Sequence, residues 1–360
     1  MKKFDKILKG GILFLSFALL FFVLNNASIN NLLYPFSFGM LFALTWANQK
    51  VYLLVPAYLI AGLTLDFSLN SAISLLVTIF MLIVPYYIHV LCKKVMKKWE
   101  FGLFSLLSQT ATLVFAIVSN GSILLTAINI ILGVLYMYSA IIIFEALVVR
   151  GFTNKLTSLE LISLFIIVMS LCSGLVNISI GEFSFLKLFV SLIIFIFAFT
   201  SSSVLTLLMA ITAGFGALLA TNNPIFMTPF VIWALCALVF KNHHKVFMII
   251  GVLCSEVIIG LYFKLYPIFT IVEALPVIIS ACIFFILPNK WLNEFAVIFN
   301  LSKDRLAMKN VVNRNRELLS KRLSNLAEVF NDMNIIYRNM IKRGMSKDDV
   351  KKVLYEEICE

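Results

Sequence analysis

The chain is poor in nearly everything that soluble enzymes use. Charged residues make up only 13% of its 360 residues, and there are three histidines and six cysteines. The cysteines have no CxxC spacing, which gives no basis for a zinc or redox centre or a disulfide framework. Cys92, Cys172, Cys236, Cys254 and Cys282 fall in or at apolar runs, where cysteine packs as a small apolar group, and Cys359 stands alone. His89 lies near the end of one run, and His243 and His244 share a basic loop. None has a Cys or carboxylate at ligand spacing. No GxGxxG, P-loop, HExxH or GxSxG is present, so the common nucleotide, zinc-protease and hydrolase chemistries lack their sequence signatures.

What is present is apolar. Hydrophobic residues make up 61% of the chain, and the mean hydropathy is +1.01. Runs such as Ser71 to Cys92 and Ile225 to Phe240 would aggregate in water. A bilayer crossing takes roughly 20 apolar residues. Twelve candidate spans are read at about 10–24, 32–47, 51–65, 71–92, 102–118, 122–149, 160–176, 184–200, 202–221, 225–240, 246–263 and 268–287. The pair 184–200 and 202–221 is nearly continuous, so ten spans is the alternative. The runs do not alternate as barrel strands would. Spans must close their own backbone hydrogen bonds. The fold class is therefore all-α, a polytopic transmembrane bundle of 10–12 spans over 1–288. A charged helical tail follows over 289–360, with 14 Lys/Arg and 10 Asp/Glu.

Charge placement predicts orientation. Thirteen of the 15 Lys/Arg before Pro288 fall on one side of this span pattern, and Lys187 and Lys264 are the exceptions. The positive-inside bias then puts both termini in the cytoplasm. The turns NNASINN, DFSLN, SNGS and TNNP read as external. Topology and anionic inner-leaflet lipid account for most of the net charge of +11, leaving no argument for nucleic acid. The basic start and the apolar run from Gly10 also have the outline of a signal peptide. The spans that follow at once favour a retained first helix.

Ionisable groups inside spans are the usual pointers to function. Glu256 is mid-span in GVLCSEVIIG, Glu145 lies in IIIFEALVVR and Glu273 in TIVEALPVII. Glu145 is five residues from Arg150, which suggests a structural pair. For Glu256 the sequence offers no partner. Two readings stand: interhelical hydrogen bonding that holds the bundle, or a proton or cation site in a transporter. The first expects Glu256→Gln to leave assembly intact. Gly214 and Gly216 (ITAGFGALLA) read as close helix contacts.

The tail has the clearest periodicity. Leu319, Leu323, Leu326, Phe330, Met333 and Tyr337 follow a 4-3-4-3 spacing, the 3.5-residue repeat of a coiled-coil seam. Charges such as Arg322 and Glu328 occupy other faces. Gly344 ends the pattern and Ser346 restarts it as an N-cap. The expected use of the seam is self-association or docking of a partner helix, the alternative being contact with a downstream domain.

Four stretches carry a family resemblance: LTSLELISLFIIVMSLCSGL (156–175), KNHHKVFMIIGVLCSEVIIGLY (241–262), EALPVIISACIFFILPNKW (273–291) and RNRELLSKRLSNLAEVFNDM (314–333). In this order they resemble the N-terminal part of the stage II sporulation protein E family of endospore-forming bacteria. The resemblance implies a membrane anchor for a metal-dependent serine/threonine phosphatase that activates the forespore sigma factor. It also implies a place at the polar septum and a link to the tubulin-like division protein. Residues 1–360 leave no room for the metal-binding aspartates of that phosphatase. The expectation is a fragment, a split product or a member without the enzyme: non-catalytic, with no cofactor, manganese belonging only to the absent domain. The expected partners are the lipid bilayer, a second copy through the tail, and the division protein by resemblance. The competing class is a secondary transporter or lipid-linked substrate carrier with a helical tail.

Overall fold

A computed structural model describes residues 2–29, 34–47, 50–63, 69–92, 96–118, 122–146, 156–241, 244–262 and 271–299, and in the tail 320, 323–324, 327–335, 338, 348, 351–352 and 355. Among the described residues up to 299, thirteen α-helices run in order. They are α1 (Lys2–Asn25), α2 (Phe36–Trp46), α3 (Val51–Leu63), α4 (Leu69–Leu91), α5 (Lys98–Val118), α6 (Ile123–Phe144), α7 (Ser158–Val176), α8 (Phe185–Thr200), α9 (Ser203–Thr221), α10 (Met227–Val239), α11 (Lys245–Tyr262), α12 (Ile271–Ile286) and α13 (Asn289–Phe299). The first twelve match the twelve apolar runs one for one. The nearly continuous pair is two helices: the chain is extended at Ser201, and the Ser202 side chain caps α9 by accepting from the Leu205 amide.

Within the described residues, α6, α7 and α9 are long and apolar enough to cross a bilayer. Several others, among them α2, α3 and α10, are shorter. The 11 residues of α2 rise about 16 Å, half of a bilayer core, and every residue from Phe36 to Thr45 is buried. This short element is enclosed by protein, which suits a backbone that leaves its helix partway through a membrane. The preceding turn is enclosed too. Ala27 and Ser28 are fully buried. The carbonyl of Ser28 accepts from Ser173 Oγ at 2.6 Å, and that of Asn26 from Asn177 Nδ2 at 3.0 Å. The start of NNASINN is thus held by the end of α7 rather than open to solvent.

The buried apolar side chains form two clusters, one drawn mainly from α1–α6 and one from α7–α13. α7 serves both, Ile167 in the first and Val168 and Cys172 in the second. Glycines bring the backbones together there. A Cβ on Gly174 would meet the Val23 carbonyl oxygen of α1 at 2.0 Å, and one on Gly216 the Met169 carbonyl oxygen of α7 at 2.3 Å. A Cβ on Gly214 would meet Met227 Cγ at 2.6 Å. Such small residues let helices approach where lipid supplies no hydrophobic drive. Polar groups add cross-links: Gln109 donates to Thr78 across α5 and α4, and Ser170 to Tyr136 across α7 and α6, each at 3.1 Å. Large apolar side chains face outward from many helices, among them Leu15, Leu76, Phe80, Leu135, Val204 and Ile258. That distribution belongs in lipid.

A feature absent from the sequence reading lies between α7 and α8. Ser179–Ile180 (β1) and Phe183–Ser184 (β2) pair antiparallel. Gly181, at φ +60°, is the first of two turn residues, the position that a type II′ turn reserves for glycine. Two-residue strands leave no periodicity to detect.

One compact unit spans Met1–Asn300 and a second Leu301–Glu360. α13 therefore lies beyond the compositional break at Pro288 yet within the first unit. Leu292 and Ala296 are buried, and the Phe299 ring packs on Phe197 of α8 at 4.7 Å. In the second unit, residues 327–335 are continuous helix.

Candidate functional site

Glu256 is 1% exposed near the middle of α11. An isolated carboxylate there would be very costly. Its partners come from two other helices. Lys187 Nζ, in the first turn of α8, is 2.7 Å from Oε1, and Trp233 Nε1 of α10 donates to Oε2 at 3.2 Å. One side chain thus ties α8, α10 and α11 together. Ser191, one turn beyond Lys187, is 2.6 Å from Ser280 Oγ and extends the polar link to α12. Lys187 was one of two departures from the basic-side pattern, and the structure supplies its physical reason: the ammonium is matched inside the bundle. The sequence carried both halves of this pair, but they are 69 positions apart and no local spacing joins them.

Glu145 follows α6, and its ion pair is with Lys98 at the start of α5, at 2.5 Å. Lys98 also lies 5.2 Å from the centre of the Trp46 ring, a cation–π contact. The suggested partner Arg150 is outside the described residues. His89, which has no carboxylate at ligand spacing, has Glu100 Oε2 3.5 Å from Nε2, while Nδ1 sits 2.9 Å from the Pro85 carbonyl oxygen. The α4–α5 turn brings them together across eleven residues. Among the described residues no group of His, Cys, Asp and Glu is arranged to hold a metal.

A further buried acid escaped the sequence reading. Glu160 is 2% exposed at the start of α7. Its carboxylate accepts from the Thr157 amide at 2.8 Å while Thr157 Oγ1 caps the Glu160 amide. The signal was present as T-S-L-E, a capping box ahead of an apolar run.

Glu273 stands in the first turn of α12, far from the middle of a helix. It lines a cavity of about 330 Å³ with Glu182 of the hairpin turn, Lys187, and Phe226 and Phe230 around the start of α10. Lys187 thus faces the cavity on one side and Glu256 on the other. The structure brings together Glu256, Lys187 and Glu273 at one end of the second cluster. It leaves Glu145 with α5 and α6.

Of the proposed seam, Leu323 and Phe330 are 64% and 65% exposed and Met333 is half-buried. Leu319, Leu326 and Tyr337 lie outside the described residues.

These features define a class: an all-α polytopic bundle in which a buried acid, Glu256, is paired across helices with Lys187 and Trp233. A family model described as the SpoIIE N-terminal domain matches residues 3–296, and the chain belongs to that family. No curated protein and no solved structure matches it.

Proposed function

We propose that this chain is a membrane anchor and assembly region, serving in place and number rather than in catalysis. The bundle holds it in the cytoplasmic membrane with both termini in the cytoplasm. The tail then associates with a second copy through Leu319, Leu323, Leu326, Phe330, Met333 and Tyr337. By family, the cargo of such an anchor is the sporulation phosphatase at the polar septum, with the tubulin-like division protein as a neighbour. The family match over 3–296 carries this reading. The pairing of Glu256 with Lys187 and Trp233 favours a structural use of that acid over an ion pathway. The exposure of Leu323 and Phe330 on the single chain suits a seam that a second helix covers. Tethering raises effective concentration, and clustering multiplies it.

A fluorescent fusion to residues 1–360 tests the proposal. It is expected at the membrane in clusters, and Leu323→Asp with Phe330→Asp should disperse the clusters while membrane retention persists. Unchanged clusters would remove the seam from the assembly. Solute flux in proteoliposomes containing the chain would replace the anchor with a transporter.

A further inference from the structure

The helix after the last apolar run carries more apolar surface than the bundle covers. Only Leu287 and Pro288 separate α12 from α13. Proline has no amide hydrogen to continue the ladder, so α12 stops there. The Pro288 carbonyl then accepts from the Trp291 and Leu292 amides, at 3.1 and 3.4 Å, as α13 begins. Leu292, Ala296 and Phe299, spaced four and three apart, form the strip that meets the bundle. Beside that strip stand Trp291 and Phe295, 57% and 41% exposed. Lys290 and Asn293, also exposed, fall on the opposite side at 3.6 residues per turn. The helix thus has a polar side and a wide apolar side, and protein covers only half of the latter. The half left bare holds two aromatic rings.

Contacts at its ends show how α13 lies. The Lys245 ammonium is 5.4 Å from the centre of the Phe199 ring in α8 and 5.3 Å from that of Phe284 in α12, and it donates to the Leu287 carbonyl at 3.0 Å. The C-terminal ends of α8 and α12 are therefore level, on the basic side of the bundle. α13 starts at the end of α12, and its Phe299 ring packs on Phe197, one turn before the end of α8. Its 11 residues, about 16 Å in length, run across the end of the bundle instead of prolonging a span. Phe285 and Ile286, just before the corner, are exposed, so the bare strip follows directly on lipid-facing surface.

We infer that α13 is an interfacial helix whose Trp291 and Phe295 rings enter the bilayer where headgroups meet acyl chains. Lys290 and Asn293 face water. Tryptophan suits that depth, since its ring is apolar and its N–H finds a polar partner there. Helices of this design sit about 5–10 Å into that boundary. The anchoring surface is apolar, so it needs no anionic lipid. The inference rests on the bundle spanning a bilayer and is independent of what the tail binds.

The test uses the full chain in phosphatidylcholine nanodiscs. The emission of Trp291 is taken as the difference between the chain and its Trp291→Phe variant, which cancels Trp46, Trp99 and Trp233. Bromine atoms placed high on the acyl chains should remove most of that emission. Bromines near the chain ends should remove less, and aqueous iodide little. In the Trp291→Phe background, Asn293→Trp moves the probe to the polar side, where iodide should quench and bromines should not. Quenching of Trp291 by iodide alone would leave the strip in water and overturn the inference. Protection from both quenchers would mean that a second copy or another segment covers the strip, and strongest quenching by the deep bromines would make α13 part of a span; either result overturns it. So would equal quenching of both probe positions by the shallow bromines. A chain that does not co-elute with the discs would overturn the membrane residence of the bundle, and this inference with it.

Discussion

At the scale of single residues, the most consequential contact is Lys187 with Glu256. A buried pair is weak evidence of net stability, but removing one partner leaves the other charge stranded, which costs about 3–5 kcal/mol. The structure changes what Glu256→Gln should do. Read from the sequence, Gln keeps the hydrogen-bonding shape and removes only the charge, so assembly is expected to survive it. With Lys187 at 2.7 Å, it removes the counter-charge of an ammonium whose side chain is only 17% exposed. We expect Glu256→Gln and Lys187→Met each to lower the melting temperature in detergent clearly. The double variant should be more stable than the sum of the two losses allows, because neither charge is then left alone. Strict additivity would show that the pair does not couple. Trp233→Phe deletes the indole donor to Glu256, worth about 1 kcal/mol, and also opens a void where the larger indole is fully buried, so the loss should exceed that figure.

Helices are where the sequence was most legible. Apolar runs and polar punctuation located α1–α12 because lipid-exposed or core helices need uninterrupted apolar length, and that is a local property. Ser122, Thr157, Ser184 and Ser202 each accept from a backbone amide three residues on, so helix starts were legible as well. Pairings were not. Glu256 with Lys187, Gly174 with Val23 and Ser173 with Ser28 join residues distant in the chain, and apolar helices resemble each other too closely for composition to choose neighbours. Gly214 and Gly216 could be read as contact points, but not against which helix. Hence a test at this scale concerns α7, which both clusters share. Gly174→Ala places a methyl group against a backbone carbonyl at 2.0 Å, so α1 and α7 must part. Overpacking of this kind costs about 1–3 kcal/mol. Gly10→Ala, where a Cβ meets nothing within 4 Å, should be neutral. Equal melting temperatures for the two alanine variants would mean that α1 and α7 do not approach as closely as the structure has them.

For the whole molecule, charge asymmetry and structure meet at the two ends of the helices. The basic side holds its cations by local contacts. Lys98 pairs with Glu145, Lys241 donates to the Ser201 carbonyl, and Lys245 donates to the Leu287 carbonyl at 3.0 Å. Two of these contacts place lysine against a carbonyl just past a helix C-terminus, near the negative end of the helix dipole. Burial also lowers the Lys241 pKa, so this ammonium is held at some cost and is not simply solvated. The opposite ends carry the hairpin, the Asn222 cap at φ 55° and the cavity, with Lys187 neutralised within the bundle. Removing Lys187 from the count strengthens the asymmetry, because a matched charge pulls neither way in topology. Reporter fusions at Lys50, Met96, Lys241 and Glu360 should therefore all report the cytoplasm, and a fusion at Asn222 the exterior. An external signal at Glu360 would place the tail on the wrong side for any cytoplasmic cargo. An internal signal at Asn222 would overturn the span pattern between α9 and α10.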